Sequence, residues 1–271
     1  MHLPWSRAAR LEKLRGEPVP AGWVEWLEQN VRYFALLTPE EREVLFAQTR
    51  LFIEEKDWEG CAGLALTEEM QVTIAAQACI LTLNLAHIRY ADVQTVLVYP
   101  ATVQVKRQAR NADMTITESK DPILGLSASH HNPVMVAWQA VVSGGREPAD
   151  GDNVVFHEFA HKLDETDGRI DGVPLLETEA QIEPYAEAMS AAYQDLVRQS
   201  EHGHVSVLNS YGATNEAEFF AVCTEAFFEK SEALERHYPK VYAALKEFYR
   251  QDPAARWRAF RGTEQEMETA P

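Results

Sequence analysis

Two histidines four residues apart, with a glutamate directly after the first, stand in the apolar stretch VVFHEFAHKLD at residues 154–164. Residues at positions i and i+4 of an α-helix lie one above the other, so His157 and His161 can bind one metal ion between their imidazoles. Glu158 projects near that ion without occupying the same position. The pattern therefore predicts a zinc site with a general base beside it.

A catalytic zinc site takes three protein ligands and leaves one position for water, so a third ligand must come from elsewhere in the chain. The stretch NEAEFFAVCTEAFF at residues 215–228 predicts a largely buried helix with two glutamates on one face. A buried carboxylate is costly unless it is paired or coordinated. We therefore predict Glu218 as the third ligand and Glu225 as the partner of a ligand histidine. Asp164, on the face of the two histidines, is another candidate for that partner.

The chemistry of such a site follows from the metal and the base together. Zinc lowers the pKa of a bound water, and Glu158 can take its proton and pass it to a leaving amine. One alternative is an ordinary histidine pair, either exposed or hydrogen-bonded in the core. Another is a structural zinc, although structural sites favour cysteine and leave no open position.

Composition restricts the classes of protein to which the chain can belong. The 271 residues are 46% hydrophobic, enough for one large domain without disulfides. The three cysteines (Cys61, Cys79 and Cys223) are widely spaced and are expected to be reduced and buried. The formal net charge of −17 repels nucleic-acid phosphates, which argues against direct DNA or RNA binding.

Targeting signals are not evident in the sequence. The N-terminal residues lack the apolar segment of a signal peptide. The apolar stretch at residues 74–88 is interrupted by polar residues and is too short to span a bilayer. We expect a soluble cytoplasmic protein without membrane contact.

The predicted elements follow the order helices, strands, site helix, helices, which indicates an α+β fold with a small sheet backed by helices. Thr38 and Pro39 mark a helix start in the first part, and Asp152 or Asn153 can cap the site helix. Strands are predicted at residues 95–100 and 133–141, a polar loop at 143–151, and helices at 23–36, 67–86, 183–199, 215–229 and 232–249. We expect one domain over residues 1–260, with a helical part to about residue 90 and a catalytic part over 91–260, followed by a disordered tail at 261–271.

These motifs as a set resemble the Mlc titration factor A family of bacterial zinc peptidases. The matching stretches are HEFAHKLD (157–164), the loop GVP (172–174), Tyr211, AEFFAV (217–222) and FYRQDP (248–253). The arrangement is also similar to the catalytic domain of anthrax lethal factor, a gluzincin with a glutamate as third ligand. The resemblance extends to about Arg256 and implies a zincin-like metalloprotease fold, with a small mixed sheet and an edge strand for substrate.

By position, the resemblance implies that His157, His161 and Glu218 bind one Zn²⁺ per chain and that Glu158 is the general base. Tyr211, seven residues before Glu218, matches the tyrosine that hydrogen-bonds the developing oxyanion.

The strand at residues 134–139, with Val136, Ala137 and Trp138, resembles the edge strand along which zincins bind an extended peptide. Family members can carry a histidine before that strand that reaches the zinc and closes the site. The matching residues 116–119 contain no histidine, which leaves His130 and His131 as candidate fourth ligands or as ordinary loop residues.

The resemblance also implies a partner, because the family binds the glucose-responsive repressor Mlc and thereby modulates the sugar phosphotransferase system. The first hypothesis is a zinc-dependent, aminopeptidase-like enzyme that hydrolyses short peptides or amino-acid amides. The alternative is a non-catalytic regulator that binds the repressor and has a closed zinc site. A third hypothesis is a metal-stabilised scaffold that catalyses no reaction.

Overall fold

The computed structural model describes residues 7–85, 90–101, 107–110, 116–119 and 133–269. Helices dominate the described chain, in the order α1 Arg7–Arg15, α2 Trp23–Asn30, α3 Pro39–Glu55, α4 Glu68–Leu81, α5 Trp138–Arg146, α6 Val154–Asp164, α7 Glu179–Glu201, α8 Glu216–Glu229, α9 Ser231–His237, α10 Pro239–Tyr249 and α11 Pro253–Thr269. Three short 3₁₀ helices accompany them at Arg32–Leu36, Glu165–Asp167 and Ser210–Ala213. The strands are β1 Asp57–Gly60, β2 Thr95–Tyr99, β3 Arg107–Arg110, β4 Ile116–Ser119 and β5 Val134–Ala137.

A three-stranded sheet in the order β1-β2-β5 lies beneath the helices. Both pairings are parallel, with Trp58 opposite Val96 and Val98 opposite Val136. The prediction of a mixed sheet is therefore wrong for these strands. Helix α4 lies between β1 and β2 in the chain and returns it to the same end of the sheet, as a parallel pairing requires. Strands β3 and β4 form a separate antiparallel pair.

Strand β5 is shorter than the sequence predicts. It ends at Ala137, and Trp138 begins α5, which continues to Arg146 through part of the predicted loop. The placement of Trp138 in the strand is therefore wrong. The helix packs closely against the end of α2, because a Cβ on Gly145 would lie 2.2 Å from the carbonyl oxygen of Asn30. Only glycine allows α5 to approach α2 this closely.

Several other boundaries also differ from the prediction. Val31 separates α2 from the following 3₁₀ helix, and Tyr238 separates α9 from α10, where one helix was expected in each case. Helix α11 extends over residues 261–269, for which disorder was expected. Glutamate, glutamine and methionine, which are favourable in helices, make up much of that stretch.

The main hydrophobic core is continuous over the central helices α4, α6 and α8 and one face of the sheet, and Cys61, Leu97 and Tyr99 form a separate small cluster. Phe159 of α6 contacts the rings of Phe52 and Tyr90 edge-on, at centroid distances of 5.7 and 4.9 Å. Phe156 contacts Phe228 of α8 at 5.2 Å. The three cysteines are free and buried, as expected. Among the described helices, none combines the length and apolar content that a membrane crossing requires.

Candidate metal centre

Helix α6 begins at a fixed point because Asn153 caps it. The Asn153 side-chain oxygen accepts hydrogen bonds from the backbone N–H groups of Val155 and Phe156, both at 3.0 Å. Of the two caps that the sequence allows, Asn153 is the one used. The apolar face of α6 is buried, and His157, Glu158 and His161 are only partly buried on the other face.

Helix α8 supplies the opposite side of the site. Asn215 caps it by accepting a hydrogen bond from the backbone N–H of Glu218 at 2.9 Å. Glu218 in the first turn is partly buried, whereas Glu225, two turns later, is buried. The contact between α6 and α8 therefore brings two carboxylates of one helix towards the histidines of the other.

Three ligand atoms converge between these helices. The Nε2 atoms of His157 and His161 are 3.2 Å apart, and Glu218 Oε2 lies 3.0 Å from the first and 3.4 Å from the second. Ligands at about 2.0–2.1 Å from a tetrahedral zinc ion lie about 3.3 Å from one another. Two imidazoles and a carboxylate are also a donor set that catalytic zinc sites use. These residues therefore fit a zinc ion.

The electrostatics of the cluster favour a cation at the same position. Burial lowers the pKa of His157, but the hydrogen bonds to Glu218 and Glu225 outweigh it and raise that pKa to about 10. Burial raises the pKa of Glu218, but the hydrogen bonds with His157 and His161 outweigh it and lower that pKa to about 2. The lone pairs that attract a proton here are the ones that would bind a metal ion.

Glu225 contacts His157. Its Oε1 lies 2.7 Å from His157 Nδ1, and its Oε2 accepts a hydrogen bond from the backbone N–H of Asn153 at 2.7 Å. A histidine that binds a metal through Nε2 carries its proton on Nδ1, so Glu225 would accept that proton's hydrogen bond. This contact fixes the orientation of the imidazole ring.

Asp164 is placed differently from the prediction. Its Oδ2 accepts a hydrogen bond from the backbone N–H of Gly172 at 3.0 Å. Its Oδ1 is buried and has no hydrogen-bond partner among the described residues. Asp164 therefore holds the loop that follows α6 and does not hold a ligand histidine.

Gly172 in that loop offers a test of how closely the loop must approach α8. It has a φ of +76°, and a Cβ there would lie 2.4 Å from the backbone oxygen of Glu216, two residues before the ligand Glu218. We expect Gly172→Ala to cost about 1–2 kcal/mol of unfolding free energy for the backbone conformation. Overpacking adds ~1–3 kcal/mol. Urea denaturation measures the sum of these two losses in the free energy of unfolding.

The matched control for this change is Gly168→Ala. Gly168 has a similar φ of +84°, but nothing lies within 4 Å of its added Cβ. The Gly168→Ala variant should therefore lose only the unfolding free energy that the backbone conformation costs. Equal losses of unfolding free energy in the two variants would show that the loop shifts to accept the added Cβ. The close approach to Glu216 would then contribute nothing to the loss.

The two residues expected to act on the substrate both lie at this cluster. Glu158 follows His157 on the partly exposed face, and burial raises the pKa of its carboxyl despite the nearby histidines. Tyr211 lies in the 3₁₀ helix before α8, is 46% exposed, and has its ring centroid 5.9 Å from that of His157. Tyr211 is therefore exposed beside the ligand atoms, and Glu158 is partly buried next to His157.

The remaining predicted residues are distributed as follows. Val136 and Ala137 lie in β5, at one end of the strand order. His130 and His131 lie outside the described residues. The prediction gave Asn153 only as a cap and did not foresee its hydrogen bond to Glu225. A sequence signal for that bond was the position of Asn153, a polar residue between a loop and an apolar helix. In the structure, Asn153 is only 1% exposed.

Comparisons with known proteins show the family of this chain. The family model described as glucose-regulated metallo-peptidase M90 matches residues 4–250. An uncharacterized protein of Synechocystis is 37% identical over 245 residues, which cover 90% of this chain and 89% of that protein. Mlc titration factor A of Yersinia pestis is 30% identical over 241 residues (87% and 86%), and that of Pectobacterium atrosepticum is 29% identical over 235 residues (85% and 87%). The resemblance found in the sequence is thereby confirmed, and the chain belongs to the glucose-regulated metallo-peptidase M90 family.

Proposed function

We propose that this chain is a zinc-dependent peptidase of the gluzincin type with a zincin-like fold. His157, His161 and Glu218 hold one Zn²⁺, and Glu158 is the general base. The observation that carries this proposal is the convergence of three ligand atoms at 3.0–3.4 Å with a glutamate beside them. Membership in a metallo-peptidase family supports the same conclusion.

The residues of the chain divide the reaction between them. When bound, zinc supplies Lewis acidity to a water molecule and to the scissile carbonyl. Glu158 accepts the proton of the attacking water and returns it to the leaving amine. Tyr211 donates a hydrogen bond to the oxygen that becomes negatively charged. Glu225 keeps the His157 ring oriented through Nδ1.

The substrate is proposed to be a short peptide or an amino-acid amide, cleaved in an aminopeptidase-like manner. Among the described residues, β5 pairs only with β2, so its other edge can accept an extended peptide by strand addition. Only four residues, Val134–Ala137, are extended before α5 begins. A strand this short would pair with only a short segment of a bound peptide.

The proposal is tested by metal content together with hydrolysis of a panel of amino-acid anilides before and after chelation. We expect about one zinc per chain, as in other catalytic sites with three protein ligands, and hydrolysis that chelation removes and added Zn²⁺ restores. A protein that holds no metal and takes up none would overturn the proposal. Zinc without hydrolysis would favour the second candidate below.

The second candidate function is binding of the transcription repressor Mlc in the cytoplasm, with hydrolysis incidental. It is favoured by one observation, the name Mlc titration factor A carried by relatives about 30% identical to this chain. The two functions can coexist, and a variant without the general base separates them.

A further inference from the structure

Asn153 uses every hydrogen-bonding group that it possesses. Its side-chain oxygen accepts two bonds in capping α6, and its backbone oxygen accepts one from the backbone N–H of His157 at 2.9 Å. Its backbone N–H donates to Glu225 Oε2. Its amide nitrogen donates to Gln77 Oε1 at 2.9 Å and to Glu229 Oε1 at 3.0 Å. An N-cap accounts for the first three of these bonds, because its backbone oxygen accepts the first intrahelical bond, but not for those to Glu225, Gln77 and Glu229.

The bonds of Asn153 connect directly to a ligand of the proposed zinc site. The Glu225 carboxylate lies between two donors, the Nδ1–H of His157 and the backbone N–H of Asn153, each 2.7 Å away. Both carboxylate oxygens are thus held from α6 and its cap. A displacement of Asn153 would rotate this carboxylate and, with it, the imidazole of His157.

On its other side, Asn153 is tied to two further helices. Gln77 belongs to α4 and has no exposed surface, and its own amide nitrogen donates to the backbone oxygen of Thr73 at 3.3 Å. Glu229 belongs to α8 and is 9% exposed. Burial raises the pKa of Glu229 well above its usual value, and its Oε1 accepts the hydrogen bond of the Asn153 amide. Asn153 therefore joins α4, α6 and α8 at one point.

We propose that Asn153 is a positioning residue of the metal centre, which acts through Glu225 to hold His157 in the orientation that binds zinc. The proposal rests on the proposed zinc site and adds a residue outside its ligands. Hydrogen-bond partners of metal ligands typically change metal affinity by about 10–100-fold when they are lost. Asn153 lies one bond further out, so the effect should be near the lower limit.

The test is Asn153→Ser, which keeps an N-cap oxygen and the backbone N–H but removes the amide donor. Zinc affinity is measured by chelator competition, and the Co²⁺-substituted protein gives an absorption spectrum that reports ligand geometry independently of activity. We expect zinc binding about 10-fold weaker and a shifted Co²⁺ spectrum, with helix content retained. Unchanged affinity and an unchanged spectrum would show that Asn153 is a helix cap only.

Matched variants separate positioning from loss of stability. Thr38→Ala removes the N-cap of α3, where the Thr38 hydroxyl accepts from the Glu41 N–H at 3.3 Å, and should leave zinc affinity unchanged. Glu229→Gln keeps the hydrogen-bond acceptor for Asn153 and should leave zinc affinity unchanged. Glu229→Ala removes that acceptor and should weaken zinc binding several-fold. The Glu229 pair carries the test if Asn153→Ser does not fold, and equal affinities in that pair would overturn the proposal.

The wild-type titration distinguishes the two levels of failure. A wild-type protein that binds no zinc would overturn the proposed function, and this inference with it. Tight wild-type binding that is matched by Asn153→Ser, or by Glu229→Ala in its place, would overturn the positioning role alone.

Discussion

Glu158→Gln is expected to retain zinc and to lose hydrolysis by about 10²–10⁴-fold, the usual contribution of a general acid–base group. Glutamine has nearly the same shape as glutamate but cannot accept a proton from water. Glu158 is not among the three converging ligand atoms, so the metal should remain. The measurements are kcat/KM on amino-acid anilides and zinc per chain for the purified variant.

The control is Glu165→Gln, the same chemical change seven residues further on, where Glu165 pairs with Lys162 at 3.0 Å. It should keep wild-type kinetics. A Glu158→Gln variant with the wild-type rate would exclude Glu158 as the base. The same variant should bind Mlc as wild type does if repressor binding is a separate function, and loss of binding together with activity would count against that second candidate.

His161→Ala is expected to lose zinc by more than the ~100-fold that hydrogen-bond partners of ligands contribute, and to lose hydrolysis with it. Two ligands would remain where a catalytic zinc site needs three. His161 is a better choice than His157 because His157 also holds the buried Glu225. Zinc affinity by chelator competition gives the result directly.

A second measurement on the same variant depends on folding and not on activity. A ligand that binds only the native state raises its stability with concentration, so excess Zn²⁺ should raise the melting temperature of the wild type and not that of His161→Ala. The exposed His204, replaced by alanine, should respond as wild type does. One zinc per chain at wild-type affinity in His161→Ala would exclude His161 as a ligand.

Local signals account for what could be predicted from the sequence. Thr38 and Glu41 form the reciprocal cap that their spacing indicates, with both hydrogen bonds present. The spacing of His157 and His161 is likewise local, within one helix. Glu218 is 61 positions from His157, and no local rule joins them. It was found because a charge in an apolar helix needs a partner.

Features that depend on tertiary contacts could not be predicted in the same way. Strand β1 has no fully buried residue and no apolar alternation, and its pairing with β2 stabilises it. Helix α5 packs against α2 at Gly145, a tertiary contact that the strand propensity around Trp138 could not indicate. Asp164 shares a helix face with both histidines, but its carboxylate accepts a hydrogen bond from the loop at Gly172 instead. By contrast, Pro239 at the start of α10 was a readable signal for a break.

The buried cysteines make the separation of the site helices chemically observable. Cys223 lies on α8 between Glu218 and Glu225 with no exposed surface, and burial raises its pKa well above the usual value. Cys79 lies on α4, and burial raises its pKa to about 12. Thiols that are both shielded and protonated react with alkylating reagents only after their helix leaves the core. The alkylation rates of Cys79 and Cys223 therefore report local opening of α4 and α8, respectively. Zinc bound across α6 and α8 would lower the alkylation rate of Cys223.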